Sequence, residues 1–428
     1  MTKKISFFQT FCKYICTYQK KVVPLPDFMW IYFLLIRIVA LFGHKKARLL
    51  VQGQRETKTL LKTAEWKHSI WFHAASVGEF EQARPIIERL RNNTNEQRPV
   101  IVTFFSPSGY EMRKNYPLAD KVMYLPFATR RNAKRFLKAV QPDIAIFAKY
   151  DFWPAYLREL SKRNIPTYLI SGIFSPKQLF FKPWGAWYRR LLTRFTTLFV
   201  QDKDSQDLLA KYGINNVIVA GDTRFDRVAE IAKKPKDIPV VAHFVGVADK
   251  VIIAGSTWPQ DEEFLAQYIA GHEDVKLVLV PHEIDEAHMH SIFQLFKGRY
   301  VRFTEATPLN LLQVQTLVVD TMGLLSSIYQ YGHLAYIGGG FGVGIHNTLE
   351  PAVYGMPVLF GPNYGRFREA NGLIEAGAAS SFRTYKDFEL KMDTALENHA
   401  EYGAKARAYI QSELGATDKI IQEIWQTK

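Results

Sequence analysis

Residues 69–79 read SIWFHAASVGE, an unbroken apolar run followed by a small polar turn and the start of a helical pattern. Residues 100–105 (VIVTFF) repeat the apolar run after an amphipathic stretch at 80–91. Continuous apolar strands separated by helices indicate a parallel sheet covered on both faces, because a strand with one solvated face alternates apolar and polar residues. The stretch therefore predicts a doubly wound α/β domain.

The same alternation continues on both sides of a polar, proline-containing segment at 233–239 (KKPKDIP), which we interpret as a linker. The remaining apolar runs are 122–127, 144–149, 167–171, 197–201 and 216–221 before it, and 251–256, 276–282, 300–304, 316–320, 334–339 and 357–361 after it. A chain of 428 residues is also too long for one compact core. We predict two Rossmann-like domains, 46–232 and 233–428, the second with closing helices, and an interdomain cleft at the carboxyl ends of the strands.

Residues 28–42 (FMWIYFLLIRIVALF) form an apolar segment that is followed by the basic stretch HKKAR at 44–48. The segment is shorter than the roughly 20 residues that a membrane-spanning helix needs. Aromatic and basic residues at its ends are typical of a helix that lies in the membrane interface. The alternative is an ordinary buried first helix. We predict that residues 1–45 form a tail and a membrane-associating helix.

The charge of the chain favours a polyanionic partner, since 55 Lys and Arg against 41 Asp and Glu leave a net charge of +14. Nucleic acid, an anionic membrane surface and a phosphorylated substrate all fit this charge. The basic residues are scattered and no nucleic-acid-binding motif is present, which argues against nucleic acid. The only cysteines, Cys12 and Cys16, fit neither a zinc ribbon nor a C-x-x-C pair and favour a reducing, cytoplasmic compartment.

Glu79 is the first candidate for chemistry. It follows the first predicted strand, on a strand-to-helix loop that we expect to open onto the cleft. A carboxylate at that place can take a proton from an attacking hydroxyl. The alternative is that Glu79 only complements the dipole at the start of the helix.

The second candidate is the segment 338–351, GGGFGVGIHNTLEP, between an apolar strand and a helix predicted to begin near Asn347. Its glycines, Gly340 among them, allow a ligand to approach the backbone closely, and a helix start offers N–H groups to a phosphate. Glu350 is suited to bind ribose hydroxyls, or it forms a capping box with Asn347. The glycine spacing matches neither the Rossmann nor the P-loop pattern.

Two further loops are candidates for phosphate binding. Ser256 and Thr257 end the first strand of the second domain and are placed to wrap phosphate oxygens. Arg224 precedes the linker and is a candidate phosphate clamp, the alternative being a surface pair with Asp226.

Histidines at 282, 288 and 290 do not form an H-E-x-x-H pattern, and no acidic ligand set accompanies them. We therefore predict no metal site.

Taken together, these segments resemble the 3-deoxy-D-manno-octulosonic acid (Kdo) transferases of lipopolysaccharide synthesis. The matching blocks cover most of the chain from about residue 29 onward. In order they are KARLL (46–50), HAASVGE (73–79), TFFSPSGYE (103–111), DFWPAYLRE (151–159), GDTRFD (221–226), AGST (254–257) and GIHNTLEPAVYGMPVLFGP (344–362).

The resemblance implies the GT-B fold, with an acceptor-binding N-terminal domain and a C-terminal domain for the nucleotide sugar. It implies transfer of Kdo from CMP-Kdo to the tetraacylated, bisphosphorylated lipid A precursor, with no cofactor beyond the donor substrate. It also implies that the N-terminal helix holds the enzyme to the anionic lipid at the cytoplasmic face of the inner membrane.

On the acceptor side, the resemblance makes Glu79 the general base of an S-V-G-E motif that also contains Ser76 and Gly78. Asp151 is the one carboxylate that remains where the family usually has E-T-E. A second departure is SGIFS at 171–175, which lacks the arginine of the family's N-A-R-x-S.

On the donor side, the resemblance assigns His346, Asn347 and Glu350 to the cytidine nucleotide. Arg224 stands at the position of the lysine in the family's GNxKFD motif. The segment 281–284 (PHEI) lacks the arginines of the family's P-R-H-P-E-R.

These assignments predict a single inverting displacement without a metal. Two enzyme alternatives are an epimerase of nucleotide sugars and a different lipid glycosyltransferase, both with the same nucleotide site. A non-catalytic protein that binds lipid or nucleotide is the third alternative, and it leaves the carboxylate of Glu79 without a role.

Overall fold

The structure is a computed structural model, and it describes residues 29–93 and 96–426. Most of the predicted N-terminal tail, including Cys12 and Cys16, lies outside the described residues. The chain forms two compact units. The first comprises the described residues up to Arg224 together with those from Gly415 onward, and the second is Phe225–Leu414.

The first unit is built on a seven-stranded sheet in the order β3-β2-β1-β4-β5-β6-β7, in which every pair of neighbours is parallel. Its strands are β1 Ser69–Ala74, β2 Val100–Phe104, β3 Lys121–Tyr124, β4 Pro142–Ala148, β5 Thr167–Gly172, β6 Thr197–Val200 and β7 Val217–Val219. All six residues of β1 are buried, as the continuous apolar run predicts. Apolar side chains fill the space on both faces of the sheet.

Helices of the first unit are α1 Met29–Leu41, α2 Lys45–Thr63, α3 Val77–Asn93, α4 Pro107–Arg113, α5 Arg130–Val140, α6 Pro154–Lys162, α7 Ala186–Arg189 and α8 Lys203–Ala210. Short 3-10 turns lie at Leu179–Phe181, Pro183–Gly185 and Leu192–Arg194.

The second unit repeats the design with the sheet order β10-β11-β9-β8-β12-β13-β14, again with parallel neighbours. Its strands are β8 Val251–Thr257, β9 Lys276–Pro281, β10 Tyr300–Arg302, β11 Thr316–Val318, β12 Leu334–Ile337, β13 Val358–Phe360 and β14 Ala379–Ser381.

Helices of this second part are α9 Thr223–Lys233, which contains the boundary between the units, α10 Pro239–Val245, α11 Pro259–Gly271, α12 Glu286–Phe296, α13 Pro308–Leu311, α14 Leu325–Ile328, α15 Leu349–Val353, α16 Arg368–Glu375, α17 Tyr385–Glu397 and α18 His399–Ser412. Short 3-10 turns lie at Phe303–Glu305 and Tyr329–Tyr331. The prediction of two doubly wound parallel domains is confirmed.

The last helix, α19 Ala416–Ile421, belongs to the first unit although the sequence places it at the end of the second predicted domain. Ile420, Ile421 and Ile424 pack into the apolar core of the first unit, and a π-helical turn completes the segment at Gln422–Gln426. The units also divide between Arg224 and Phe225 and not at the predicted position 232/233. Burial of the three isoleucines in this core explains why the C-terminal segment belongs to the first unit.

Helix α1 has one packed side and one open side. Phe33 is buried and stacks on Phe127, with ring centroids 4.2 Å apart. Leu34, Leu41 and Phe42 are exposed, the last two by 82% and 77%. No helix within the described residues combines the length and the apolarity needed to cross a bilayer.

Candidate functional site

In each sheet, the strand order reverses at one topological switch point, which lies between β1 and β4 in the first unit and between β8 and β12 in the second. Open α/β sheets bind ligands at the carboxyl ends of the strands beside a switch point, because the connecting loops run to opposite faces of the sheet there and leave a crevice. The segments that follow these four strands contain most of the residues that the sequence singles out. Each unit therefore has a candidate site of its own.

Glu79 lies in the first turn of α3, which begins at Val77, and not on a loop as predicted. Its Oε2 accepts hydrogen bonds from the backbone N–H of Ser76, at 3.0 Å, and from the Ser76 hydroxyl, at 3.3 Å. These bonds cap the helix and also hold the carboxyl group in one orientation. Gly78 is exposed, and a Cβ there meets no atom within 4 Å, so close packing does not explain a glycine at this position.

Burial raises the pKa of Glu79 to about 7, and the charge of Asp151 adds to the increase. The charge of Lys149 and the hydrogen bonds from Ser76 act in the opposite direction and are outweighed. A carboxyl group with a pKa near neutrality exchanges its proton readily near pH 7. Glu79 therefore caps the helix and has a pKa suited to proton transfer near pH 7.

Asp151 follows β4, and its Oδ2 lies against Nε2 of His73. The His73 ring is fully buried, and its Nδ1 lies 2.7 Å from the hydroxyl of Thr103 and 3.1 Å from the Thr103 carbonyl. The Trp153 indole N–H donates to His73 Nε2 at 3.0 Å. Because Nε2 of His73 accepts from the indole N–H, it has no proton to donate to Asp151, and Oδ2 of Asp151 has no hydrogen-bond partner among the described residues. Asp151 lies close enough to Glu79 for its charge to raise the pKa of Glu79.

His73 and Trp153 stand within the conspicuous motifs, but the sequence alone predicts no role for either. The motif H-A-A-S-V-G-E contains the one available signal, a histidine inside an otherwise apolar strand. A buried polar side chain requires partners. Those partners lie 30 and 80 positions along the chain, and only the pairing of β1 with β2 and β4 identifies them.

Ser256 and Thr257 end β8, but their hydroxyl groups have different surroundings. Ser256 is half-buried and has a positive φ of 56°, which is unusual for a residue other than glycine. Thr257 is fully buried, and its hydroxyl donates to Glu262 at 2.9 Å. Glu262 also lies 2.9 Å from Nε2 of His288. Thr257 therefore supports an internal network, and Ser256 is the hydroxyl that a ligand can reach.

The three glycines after β12 are required for close packing. A Cβ on Gly338 meets the Ser256 carbonyl at 2.2 Å, and a Cβ on Gly340 meets the backbone of Gly361 at 2.6 Å. Gly339 has a φ of 88°, and its N–H donates to Asp261 at 2.9 Å. The turn is thus a rigid part of the second site, held by the carboxylate of Asp261, which no sequence motif identifies.

The helix after this turn, α15, begins at Leu349 and has only five residues, where the sequence predicts a start near Asn347. The Oδ1 of Asn347 accepts from the Leu349 N–H at 3.0 Å, and its amide donates to Glu350 at 3.0 Å. This arrangement is not a capping box, because the residue that precedes α15 is Thr348, whose side chain makes no capping hydrogen bond. A helix this short has a small dipole, so the predicted phosphate binding at its start loses support.

The guanidinium group of Arg224 donates two hydrogen bonds to Oδ2 of Asp222, from Nη2 at 2.7 Å and from Nε at 3.0 Å. Asp222 is buried, and it also accepts from the Gln201 amide at 3.0 Å. Burial alone raises the pKa of Asp222, but the charge and hydrogen bonds of Arg224 outweigh burial and lower the pKa below its usual value. The predicted phosphate clamp thus already has a structural partner.

The structure brings the predicted residues together in two groups. Ser76, Glu79 and Asp151 meet after β1 and β4. Ser256, the glycine turn and His346 meet after β8 and β12, since a Cβ on Gly339 lies 3.2 Å from the His346 ring. In the described residues, no group of three or more His, Cys, Asp or Glu side chains is placed to hold a metal ion.

Comparison with known proteins gives these groups a context. The family model described as "3-Deoxy-D-manno-octulosonic-acid transferase (kdotransferase)" matches residues 44–227. The 3-deoxy-D-manno-octulosonic acid transferase of Chlamydia trachomatis serovar A is 27% identical over 371 residues, which are 83% of this chain and 84% of that protein. The enzyme of the same name from Aquifex aeolicus is 26% identical over 337 residues, 77% and 84% of the two chains.

Among solved structures, UDP-GlcNAc 2-epimerase from Neisseria meningitidis, bound to UDP-GlcNAc, superposes with a TM-score of 0.61. The match covers 85% of this chain and all of that one at 16% identity, so it shows the shared GT-B fold alone. Similarity over most of the length of two named transferases, together with the family match, identifies the activity class. Residues 44–227 match the Kdo transferase family model, most of the chain is similar to named Kdo transferases, and the chain is a glycosyltransferase.

Proposed function

We propose that this enzyme transfers Kdo from CMP-Kdo to the tetraacyl, bisphosphorylated lipid A precursor, with inversion of configuration and without a metal, in lipopolysaccharide core biosynthesis. The observation that carries the proposal is the Glu79 carboxyl group, which has a pKa of about 7 and lies at the switch point between β1 and β4 of the first unit. Similarity to the named Kdo transferases supports Kdo as the transferred sugar. An epimerase is not favoured, because its likeness to this chain extends to the fold alone.

In the proposed reaction, a hydroxyl of the acceptor sugar attacks the anomeric carbon of Kdo while Glu79 removes the hydroxyl proton. The bond from the anomeric carbon to the CMP phosphate oxygen breaks, and CMP leaves with that electron pair. One displacement from the opposite face inverts the anomeric configuration. The bonds from Ser76 hold Glu79 in place, and the charge of Asp151 strengthens the base by raising its pKa.

We assign the donor to the second unit. Ser256, the Gly340 turn and Asn347 provide hydroxyl, backbone and amide groups, and Glu350 is suited to ribose hydroxyls. His346 is half-buried beside the glycine turn. Developing charge on the phosphate oxygen is then stabilised by fixed hydrogen-bond donors, which act without reorganising during the reaction.

A basic groove on the first unit supports a phosphorylated acceptor and an anionic membrane surface. The groove has a volume of about 1520 Å³, and Glu65 is the single carboxylate among its lining residues. Its cations are Arg37, Arg48, Arg55, Lys58, Lys62, Arg131, Arg135 and Lys138. Within the described part of the chain none of these eight forms an ion pair. Together with the exposed Leu41 and Phe42 of the α1 end, the groove supports attachment to the cytoplasmic face of the inner membrane.

Replacing Arg131, Arg135 and Lys138 by glutamine is expected to weaken binding to vesicles that contain anionic phospholipid. Each basic residue near such a surface contributes about 1 kcal/mol, so three of them correspond to roughly a 100-fold change. Sedimentation with vesicles measures the change, and added salt should shrink it.

The matched control replaces Lys177, Lys203 and Lys211, which are exposed and outside the groove, by glutamine. Both triple variants remove the same net charge. If they weaken binding equally, net charge and not the groove attracts the membrane.

The chemical details are tested with CMP-Kdo and the lipid A precursor in the presence of excess EDTA. We expect the transfer rate to be unchanged by EDTA and the product to show, by NMR, the anomeric configuration opposite to that of the donor. A rate that EDTA abolishes and Mg²⁺ restores contradicts the metal-independent step. Retention of configuration contradicts the single displacement.

A further inference from the structure

Three aromatic side chains lie together at the second site: Trp258 directly after β8, His282 directly after β9, and His346 beyond β12. The rings of Trp258 and His282 are stacked with centroids 4.8 Å apart, and the rings of His282 and His346 are 4.4 Å apart. His282 is exposed and His346 is half-buried. The cluster therefore borders the region that a donor molecule must enter.

One hydrogen bond determines where the His346 proton lies. The Trp258 Nε1 is 3.3 Å from the His346 Nε2. An indole N–H only donates, so the His346 nitrogen that faces it must accept and carries no proton. A neutral imidazole has its proton on the other nitrogen, which is Nδ1. Burial, assisted by His282, lowers the pKa of His346 to about 4, so the ring is neutral near pH 7.

The Nδ1–H group of His346 is available to a ligand. Within the described residues, the one hydrogen bond recorded for the His346 side chain is that at Nε2. Nδ1 has no hydrogen-bond partner in the part of the chain that the structure describes and is not fully buried, so solvent reaches it. The ring lies against the turn that contains Gly339. A ligand at this turn meets a hydrogen-bond donor of fixed orientation.

We propose that Trp258 is a positioning residue that holds His346 in its Nδ1–H tautomer, so that the ring donates a hydrogen bond to an anionic oxygen of the donor substrate. The oxygen belongs either to the phosphate or to the carboxylate of the sugar acid. In the opposite tautomer the ring presents a lone pair to that anion and repels it. This role presupposes the transferase function proposed above.

The variant Trp258→Phe tests the proposal, because it keeps an aromatic ring against His282 and removes the N–H group. In the wild type, ¹⁵N NMR of the His346 ring should show protonation at Nδ1. In the variant, the ring nitrogens should shift toward a mixture of tautomers. Affinity for CMP by calorimetry, or KM for CMP-Kdo, should weaken by about tenfold, as for loss of a hydrogen bond to a charged group.

The two ligands identify the oxygen. A loss of CMP affinity assigns the phosphate, since CMP has no carboxylate, whereas a change confined to KM for CMP-Kdo assigns the carboxylate. Trp184→Phe is the matched control, because Trp184 is 71% exposed and lies in the first unit. It should leave the nitrogen shifts and both ligand constants unchanged.

A second pair of variants separates the two nitrogens. The amide of His346→Asn places an N–H group near the position of Nδ1, whereas His346→Gln places its polar atoms near Nε2. The asparagine variant should retain more donor binding than the glutamine variant.

Unchanged nitrogen shifts in Trp258→Phe overturn the proposal, as do changed shifts without any effect on CMP or CMP-Kdo. Wild-type protein that does not bind CMP contradicts the proposed function instead, and the nitrogen shifts still decide the tautomer.

Discussion

Replacement of Glu79 by glutamine is expected to lower kcat for Kdo transfer by about 10²–10⁴-fold while leaving the fold intact, since general base catalysis contributes factors of this size. The glutamine keeps a carbonyl oxygen that can accept the hydrogen bonds from Ser76. It cannot take a proton from the acceptor hydroxyl. Steady-state rates, together with circular dichroism to verify folding, measure the effect.

Glu81→Gln is the matched control. Glu81 lies in the same helix and pairs with Arg113 at 2.7 Å on the partly exposed surface. Pairs of this kind contribute little to stability, so the control should keep nearly the full rate. Equal rates for Glu79→Gln and Glu81→Gln remove Glu79 from the role of base.

The pKa of Glu79 also determines how the reaction rate and the stability depend on pH. Since burial raises the pKa of Glu79 to about 7, kcat/KM should increase as the pH rises through that value and the base loses its proton. Stability should change in the opposite direction. Between the ordinary carboxyl pKa of 4.5 and about 7, the folded state binds more protons than the unfolded state, so rising pH lowers the free energy of unfolding. Glu79→Gln should remove both dependences.

Replacement of Arg224 by alanine is expected to destabilise the protein by about 3–5 kcal/mol, because it leaves a buried carboxylate without its cation. Asp222 is 1% exposed, and Arg224 holds it with two nitrogens. Urea denaturation measures the change. Arg84→Ala is the control, since its pair with Glu88 is partly exposed and should contribute less than about 1 kcal/mol.

The stabilisation by Arg224 should depend on pH with a definite sign. Because Arg224 lowers the pKa of Asp222 below 3.8, the pair stabilises the fold above that value. The stabilisation is lost as the pH falls through the lower, folded-state pKa of Asp222. The difference between wild type and Arg224→Ala should therefore shrink in acid.

The double variant Arg224→Ala with Asp222→Asn separates structure from catalysis. Removing the buried charge as well should restore much of the stability, so that turnover can be measured on a folded protein. A large loss of turnover in this variant supports contact of Arg224 with the donor phosphate. Near-normal turnover assigns Arg224 to the structure alone. A destabilisation below about 1 kcal/mol in the single variant contradicts the structural role.

The strands could be predicted from the sequence because both faces of each sheet are buried, which makes apolar runs continuous. The exception is β14, Ala379–Ser381, a half-buried strand of three small residues that has no apolar run to detect. The extent of α15 was also missed. It ends before Gly355, whose φ of 75° breaks the helix, and Pro351 limits its beginning.

Individual site residues could be predicted only where a contiguous motif contains them. Ser76 and Glu79, or Asn347 and Glu350, are three positions apart and contact each other within one turn. Pairs such as Trp258 with His346 depend on the order of strands in the sheet, and no local pattern records that order. The final segment from Gly415 is a similar case, because the packing of its isoleucines decides which unit it joins.

The most direct test of the proposed function is mass spectrometry of the product formed by purified protein from in-situ-generated CMP-Kdo and the tetraacyl, bisphosphorylated lipid A precursor. We expect the acceptor to gain the mass of one Kdo unit with the wild type and to remain unchanged with Glu79→Gln over the same time. A second increase by the mass of one Kdo unit shows that the same enzyme transfers a further Kdo. If folded wild-type protein with verified donor and acceptor gives no increment, the proposed substrates are wrong.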